Sequence, residues 1–331
     1  MTGWRSAAAG LLLLGLASVG TPTHADTQGP APSRKLFSFD DDEVFESSGL
    51  VDIGPVVYTT NDSGDDAVLY GFDSGTGRLV SRTTYADRVE DVEALAPGRD
   101  GTVWAGDVGD NQQRRDSISA YAVSPRPGRQ ERTAKAYELV YPDGSHNAET
   151  LLVSPRTGRL YVVTKSPFGG TVYVAPRRLS EDGPNTLRTF ARVRGLVTDG
   201  TFFPDGRRVL LRTYGTASAY TFPGFAPLGT VRLPAQPQGE GISVAQDGRV
   251  LVSSEGVRSP VLQVTLPASF TSPSASPSAS ALPPREPTTP VAPTASRSAS
   301  DWGWVALVAV GIGTIGYLTL RGSRLRGPRK P

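Results

Sequence analysis

Residues 91–111 read D-V-E-A-L-A-P-G-R-D-G-T-V-W-A-G-D-V-G-D-N. Glu93 opens a short apolar strand, residues 99–101 (R-D-G) form a turn, and a second strand passes through Val103 and Trp104 before an oxygen-rich loop. Short apolar runs separated by Gly-containing turns are typical of antiparallel β-strands joined by hairpins. The stretch therefore predicts one half of a small β-sheet.

The same unit occurs five times in the chain. Each copy has an acid, an apolar strand, a tight turn and a second apolar strand, and the acids are Glu46, Glu93, Glu149, Asp199 and Glu240. A step of about 48 residues built from short strands and Gly turns is typical of β-propellers. One blade buries too little apolar surface to fold alone, so the blades must pack around a shared axis. The sequence predicts an all-β propeller of five blades, with six as the alternative if the long second unit contains another blade.

The two ends of the propeller complement each other. The last repeat has strands at 242–244, 250–253 and 261–265 but lacks a fourth, whereas the alternating segment 35–39 (K-L-F-S-F) precedes the first repeat. We predict that this N-terminal strand completes the last blade, because closing the ring removes an exposed sheet edge. The predicted blades span residues 46–85, 91–140, 148–190, 198–233 and 239–266.

Both chain termini differ in composition from the repeats. Residues 1–25 have a basic start, an apolar core and T-H-A at the end, which predicts a signal peptide; an uncleaved anchor is the alternative. Residues 26–266 would form the propeller ectodomain. Residues 267–300 are rich in Ser, Pro and Thr, so they predict a disordered stalk.

The C-terminal end predicts a membrane anchor. Residues 301–320 form an apolar run long enough for one transmembrane helix, and residues 321–331 are basic without an acid. Basic flanks stay in the cytoplasm, so the propeller would be extracellular on a single-pass type I protein of the cell membrane. A buried core helix is the alternative, but the stalk before it and the basic tail after it argue against that.

Composition excludes several classes of function. The predicted ectodomain has 26 Lys and Arg against 30 Asp and Glu, so it lacks the basic field that nucleic-acid binding requires. There is no cysteine, and His146 is the only histidine outside the signal peptide, so a Zn or Fe site would lack its usual ligands. Neither a G-x-S-x-G elbow nor a phosphate-binding P-loop occurs.

Five motifs lie within the repeats. They are T-N-D-S-G-D at 60–65, D-V-E-A-L-A at 91–96, G-D-V-G-D-N at 106–111, Y-P-D-G-S-H-N-A-E-T-L-L-V at 141–153 and Q-G-E-G-I-S-V at 238–244. As a set they resemble an uncharacterised group of exported bacterial β-propeller proteins, a resemblance that covers most of residues 46–266 and implies the propeller but no particular activity. The D-V-E-A and E-G-I elements are also similar to calcium-dependent propeller phytases and to the esterase-like domain of phytase.

The repeated acids are the first candidate site. The first strand of each propeller blade lines the axis, so acids at the starts of these strands should meet at one end of the channel. Four acids are expected there: Glu93, Glu149, Asp199 and Glu240. Converging carboxylates repel unless a cation, a proton or a basic side chain relieves them, and Lys165 and Arg212 end second strands where they could do so. The alternative is that each acid accepts backbone N–H bonds from the adjacent blade. His146 is either a loop cap or a proton-transferring group at the same end.

Two acidic loops are candidates for a calcium site. Their oxygen-bearing side chains are Asp62, Asp65, Asp107, Asp110 and Asn111. Crowded oxygen ligands around a Gly suit Ca²⁺, whereas ordinary Asx-turns would explain the same residues without a metal. Arg114 and Arg115 follow the second loop, and beside a metal they would suit a phosphate.

The sequence supports two functions. The first is a membrane-anchored extracellular module that binds a cell-wall glycan or an extracellular protein. The second is a Ca²⁺-dependent phosphoesterase. In it the metal ligands would be Asp62, Asp65, Asp107 and Asp110, and the phosphate-binding residues would be Lys165, Arg212, Arg114 and Arg115.

Overall fold

The computed structural model of the chain describes residues 29–62 and 66–271. Their strands form five sheets in which neighbouring strands are mainly antiparallel, so the predicted five-bladed propeller is confirmed. The predicted signal peptide, transmembrane helix, basic tail and all but the first residues of the stalk lie outside the described residues. Within those residues, no helix has the length and apolar character needed to cross a membrane.

The strands follow the repeats in order. The N-terminal strand β1 is Ser33–Ser38. The first unit contains β2 Ser47–Ile53, β3 Val56–Asn61, β4 Val68–Asp73 and β5 Leu79–Thr84. The second contains β6 Val92–Pro97, β7 Val103–Asp107, β8 Ile118–Val123, β9 Gly128–Glu131 and β10 Lys135–Val140.

The last three units complete the ring. The third contains β11 Ala148–Val153, β12 Leu160–Thr164, β13 Thr171–Val174, β14 Asn185–Thr186 and β15 Arg188–Arg192. The fourth contains β16 Asp199–Phe202, β17 Arg208–Arg212, β18 Thr216–Thr221 and β19 Pro227–Arg232. The fifth contains β20 Gly239–Val244, β21 Val250–Ser254 and β22 Pro260–Val264, and the short helix α1, Ala268–Thr271, follows.

The N-terminal strand closes the ring as predicted. β1 pairs antiparallel with β22, so the fifth blade has the strand order β1-β22-β21-β20. The chain then leaves this sheet, and the amide of Phe39 donates to the carbonyl of Ser259 at 3.2 Å. The last blade is thus built from both ends of the domain.

The long second unit contains no sixth blade. Its additional strand β9 turns back and pairs parallel with β5, at the outer edge of blade one. In the same way β14 pairs parallel with β10, at the outer edge of blade two. Blades one and two therefore have five strands each instead of the expected four. Each added strand comes from the unit that follows, so it joins two neighbouring blades.

The first strands of the blades surround the axis and are buried almost throughout. β2 lies against β6 and β20, β11 lies against β6 and β16, and β16 also lies against β20. The approach is close because small residues face the neighbouring strand. A Cβ placed on Gly49 would lie 2.3 Å from the backbone nitrogen of Leu95, so only glycine fits there.

Phe39 packs at the junction between the N-terminal segment and blade one. Its side chain is fully buried, and its ring centroid lies 4.8 Å from that of Phe72 and 5.9 Å from that of Phe37. The same cluster contains Val261 of blade five. Removing this ring would leave a cavity where three parts of the closed ring meet.

We predict that Phe39→Ala lowers the free energy of unfolding by about 3–5 kcal/mol, because it removes a buried aromatic side chain. Phe168→Ala is the matched control, since Phe168 is fully exposed and its removal should change stability by less than about 0.5 kcal/mol. Urea unfolding followed by tryptophan fluorescence measures both. Equal effects of the two substitutions would contradict the packing of Phe39.

Candidate functional site at the channel mouth

One end of the axis collects the predicted site residues. In blade two Val92, at the start of the first strand, pairs with Asp107, at the end of the second, and in blade three Ala148 pairs with Thr164. Each first strand therefore starts where its second strand ends. We call this end of the axis, formed by the starts of β2, β6, β11, β16 and β20, the channel mouth. The loops between second and third strands and the loops between blades lie at the same end.

Blade one differs from the other four at this position. Ser47 pairs with Asn61 as Gly239 pairs with Ser254, so Ser48 rather than Glu46 corresponds to Glu240. The hydroxyl of Ser48 donates to the backbone carbonyl of Glu93 at 2.8 Å and lies 3.2 Å from its Oε2. The sequence repeat assigned Glu46 to this position in blade one, but the equivalent residue lies two positions later, at Ser48.

Asp199 acts as a link between blades. Its carboxylate is fully buried and accepts the amides of Gly200 and of Ile242, each at 2.7 Å. Because Ile242 belongs to β20, this acid ties blade four to blade five, as the architectural alternative predicts. Burial raises the pKa of Asp199 well above its usual range.

Arg212 is also an interior residue. Its guanidinium donates to the carbonyls of Gly241 at 2.7 Å and Ser253 at 2.9 Å and to Oε1 of Gln236 at 2.8 Å. Burial lowers the pKa of Arg212 to about 10. These contacts hold the fully buried guanidinium against blade five.

Three buried carboxyl groups remain at the channel mouth. Glu93, Glu149 and Glu240 are each at most 5% exposed. Burial, together with neighbouring Glu149, raises the pKa of Glu93 to about 10. Burial also raises the pKa of Glu149 to about 7 and that of Glu240 to about 8. The three groups therefore do not all ionise at neutral pH unless a cation joins them.

Lys165 partly compensates this charge. Its Nζ forms an ion pair with Oε1 of Glu149, donates to the hydroxyl of Tyr214 at 2.9 Å and lies 5.1 Å from the centre of the Tyr214 ring. Burial alone would lower the pKa of Lys165, but the Glu149 carboxylate outweighs this effect and holds the pKa above its usual range. Oε2 of Glu149 is buried and has no hydrogen-bond partner among the described residues. The predicted proximity of Lys165 to the acids is therefore seen in the structure.

Asp62 and Asp91 form a carboxylate cluster with Glu93. One oxygen of each lies within 4.8 Å of the others, and Glu93 is buried while the two aspartates are half-buried. Asp62 follows β3 of blade one, whereas Asp91 and Glu93 come from the start of β6. The cluster has the donor atoms and the spacing of a possible metal site. Asp91 was missed by the sequence analysis, although its position two residues before Glu93 was a usable signal, since alternate strand residues share a face.

The remaining predicted calcium ligands have other contacts. Asp107 accepts the amides of Glu90 at 3.1 Å and Asp91 at 2.9 Å, and Asp110 accepts those of Arg114 at 3.0 Å and Arg115 at 2.9 Å. Such bonds are typical of turn-stabilising side chains. Oδ1 of Asn111 accepts Nδ2 of Asn147 at 3.0 Å, and Asp65 lies outside the described residues. Their assignment to calcium stays a prediction.

The predicted phosphate residues are likewise engaged or peripheral. Arg115 donates to Oδ1 of Asp107 at 2.7 Å and to the carbonyl of Gly109 at 2.8 Å, and its Nε lies 2.9 Å from Oε2 of Glu90. Arg114 is exposed. His146 lies on the loop before β11, where its ring contacts Asp143 and Tyr173 of blade three rather than the carboxylate cluster.

Exposed apolar side chains lie on loops at the same end. Four of the six large hydrophobic side chains that are exposed in the described part of the chain belong to these loops: Phe45, Phe168, Tyr214 and Val257. We call these four residues the apolar rim. Exposed apolar groups that are gathered on one face, and not scattered, are typical of interaction sites.

The chain was compared with protein families, curated proteins and solved structures. No protein-family model matches the sequence, and no curated protein matches it. Among solved structures the chain is similar to XC5397, a gluconolactonase of Xanthomonas campestris important in glucose secondary metabolic pathways, with 16% identity and a TM-score of 0.46 over 71% of this chain and 89% of that one. It is also similar to a streptogramin B lyase, with 11% identity and a TM-score of 0.40 over 72% and 98% of the respective chains. At these values the likeness carries no information about the site.

We predict that, with EDTA present, the free energy of unfolding falls as the pH rises from 5 to 9. Folding raises the pKa values of the three mouth glutamates, so the unfolded state ionises first and stability falls with pH until each folded pKa is reached. This loss ends near pH 7 for Glu149 and near pH 8 for Glu240 but continues toward pH 10 for Glu93.

Glu93→Gln tests this assignment, because glutamine resembles the protonated acid. Urea unfolding between pH 8 and 9 should show a slope that is smaller by about 1.4 kcal/mol per pH unit in this variant. Glu138→Gln, at an exposed position on β10, is the control and should leave the slope unchanged. A Glu93→Gln slope equal to that of the unchanged protein would contradict the protonated state of Glu93.

Proposed function

We propose that this propeller is a binding module whose channel mouth holds a calcium ion and uses it, with the apolar rim, to bind an extracellular ligand. The observation that carries the proposal is the convergence of the Asp62, Asp91 and Glu93 carboxylates within 4.8 Å of one another. Glu93 comes from the strand that lines the axis, so a cation bound there would be reached from the mouth.

The donor chemistry favours calcium. Ca²⁺ takes six to eight oxygen ligands in flexible geometry, and all three side chains of the cluster offer carboxylate oxygens. Three side chains cannot fill that coordination shell, so water or oxygens of a ligand would complete it. Glu149 is a nearby negative charge, because its carboxylate contributes to the raised pKa of Glu93. Binding of Ca²⁺ would displace the proton from Glu93 and relieve the repulsion within the cluster.

The apolar rim supplies the second half of the binding face. Phe168 is fully exposed on the loop between β12 and β13, and Tyr214 lies on the corresponding loop of blade four, where its hydroxyl contacts Lys165. Aromatic rings beside a cation with open coordination positions suit ligands that combine oxygen atoms with an apolar surface. The hydroxyl groups and ring faces of a cell-wall glycan meet this description, as do acidic and apolar side chains of an extracellular protein.

The proposed setting is the outside of the cell membrane. It rests on the composition of residues 1–25, 267–300, 301–320 and 321–331, which predict a signal peptide, a stalk, a single transmembrane helix and a cytoplasmic tail. An extracellular site needs little affinity, because extracellular calcium modules work with dissociation constants of roughly 10⁻⁴–10⁻³ M. A site with three carboxylates is consistent with that range.

The alternative function is a Ca²⁺-dependent phosphoesterase. In it, Lys165 at the channel mouth would bind the phosphate. It is supported by the position of Lys165 beside Glu149, whose pKa near 7 suits proton transfer. Under this alternative, Lys165→Met should abolish Ca²⁺-dependent hydrolysis of a phosphate monoester, while Lys135→Met, at an exposed ion pair, should not. Turnover that survives Lys165→Met would exclude the mouth as the site of such an activity.

We predict that Ca²⁺ raises the melting temperature of the full-length protein in detergent after EDTA treatment. A ligand that binds only the folded state stabilises it by about 2.7 kcal/mol at a concentration 100 times its Kd. The double variant Asp91→Asn with Glu93→Gln should lose the shift, whereas Asp182→Asn, an exposed acid on the loop between β13 and β14, should keep it. Calorimetric titration of Ca²⁺ gives the stoichiometry. An equal shift in the double variant would place the cation elsewhere.

A further inference from the structure

A second group of ligand-type atoms lies in blade three, outside the carboxylate cluster. Asp143 and His146 belong to the loop before β11, and Tyr173 belongs to β13. The hydroxyl oxygen of Tyr173 lies 3.0 Å from Oδ1 of Asp143 and 2.9 Å from Nε2 of His146, and Oδ1 and Nε2 lie 3.1 Å apart. We call these three residues the blade-three triad.

The triad is nearly an equilateral triangle of one nitrogen and two oxygen atoms. In an octahedral complex with metal–ligand bonds of roughly 2.1 Å, adjacent ligands are separated by about 3.0 Å. The three distances of the triad match the edges of one face of such an octahedron, and the Tyr173 hydroxyl also lies 2.9 Å from Oδ2 of Asp143. A face of three protein ligands that leaves the opposite face open is the arrangement that non-haem iron sites use.

We propose that the blade-three triad binds a first-row transition-metal ion with N/O preference, Fe³⁺ or Cu²⁺, through His146 Nε2, the Tyr173 phenolate and the Asp143 carboxylate. Imidazole suits iron and copper, and the hard oxygen donors favour the higher oxidation states. The site is accessible from one side, because the side chain of Asp143 is half exposed and that of His146 is 31% exposed, while Tyr173 rises from the core.

Tyr141 provides an independent observation. Its ring packs edge-on against His146 at 5.0 Å and against Tyr173 at 4.9 Å, and its hydroxyl is buried without a hydrogen-bond partner among the described residues. A buried hydroxyl without a partner destabilises the folded state. Water or an anion bound to a metal in the triad is the kind of group that would remove this cost.

Binding is an exchange of protons for the metal and involves no change of oxidation state. The phenolic hydrogen of Tyr173 leaves to solvent, and the oxygen lone pair forms the bond to the metal. Nε2 of His146 binds through its own lone pair, with the ring hydrogen on Nδ1. One proton is therefore released for each ion bound when His146 starts neutral, so affinity should increase with pH.

The same contacts have a purely structural reading, in which hydrogen bonds tie the loop before β11 to β13. The metal-binding reading and the structural reading predict different spectra for Tyr173→Phe. Loss of the hydroxyl lowers thermal stability in both, but only the metal site loses a tyrosinate-to-metal absorption. Asp143→Asn is the second variant, because Asp143 is half exposed and its substitution is compatible with folding.

The experiment titrates full-length protein in detergent with Fe³⁺ nitrilotriacetate or with Cu²⁺ in glycine buffer, in the presence of excess Ca²⁺ to saturate the channel mouth. The expected result is a visible charge-transfer band that saturates at one equivalent, is absent from Tyr173→Phe and weakens at least tenfold in affinity in Asp143→Asn. Tyr161→Phe, in β12 of the same blade, is the control and should keep the band.

Metal retained without a visible band, or a band that persists in Tyr173→Phe, would overturn the proposal, as would failure to retain metal at equimolar concentration. These outcomes are independent of the calcium proposal. The triad variants leave Asp62, Asp91 and Glu93 unchanged, and the melting shift produced by Ca²⁺ is measured separately. A protein that fails one test and passes the other thus identifies which of the two sites is wrong.

Discussion

The pairing of β1 with β22 is the interaction on which the whole structure depends. Each blade buries its faces against its two neighbours, so a ring with one incomplete blade would expose apolar surface on both sides of the gap and a free sheet edge. The pairing supplies the missing strand, and Phe39 continues it into the cluster that joins blades five and one. Closure also fixes the five first strands around the axis, and it is this convergence that creates the channel mouth.

The acids at the channel mouth differ in their hydrogen-bond partners. Asp199 accepts one backbone amide of its own blade and one of the next blade. Among the described residues, Glu93, Glu149 and Glu240 are buried without such backbone bonds, and Lys165 forms its ion pair with Glu149. A protein designed only for stability would replace such groups by apolar side chains, because their burial opposes ionisation. The cation proposed above would compensate the charge of these groups. The repeated acids of the sequence thus differ in their contacts, because backbone amides bind Asp199 but none of the three glutamates among the described residues.

Much of the fold was predictable from the sequence, because apolar periodicity and Gly turns report directly on strands that bury both faces. Five blades and the closing strand followed from that signal. The edge strands β9 and β14 did not, because they are short, polar and paired in parallel with a distant segment. At the mouth, the Lys165–Glu149 pair followed from the common register of the repeats. The error at Glu46 arose because blade one has Ser48 at the position where blade five has Glu240, so a nearby acid was taken for the equivalent residue.

The blade-three triad shows where sequence reasoning ends. His146 and Asp143 are three residues apart, but Tyr173 reaches them only because β13 passes beside the loop before β11. Nothing in a repeat pattern marks that contact, since Tyr173 occupies an ordinary strand position.

The order of strands in the last blade has a mechanical consequence. β22, which leads to the C-terminus, lies between β1 and β21 instead of at the edge of its sheet. Beyond it, Phe270 is buried and the Arg208 guanidinium donates to its carbonyl at 2.6 Å. A pulling force on the C-terminal end would therefore load two rows of hydrogen bonds in shear rather than peel them one at a time. The membrane anchor proposed above would apply its load at this end of the chain.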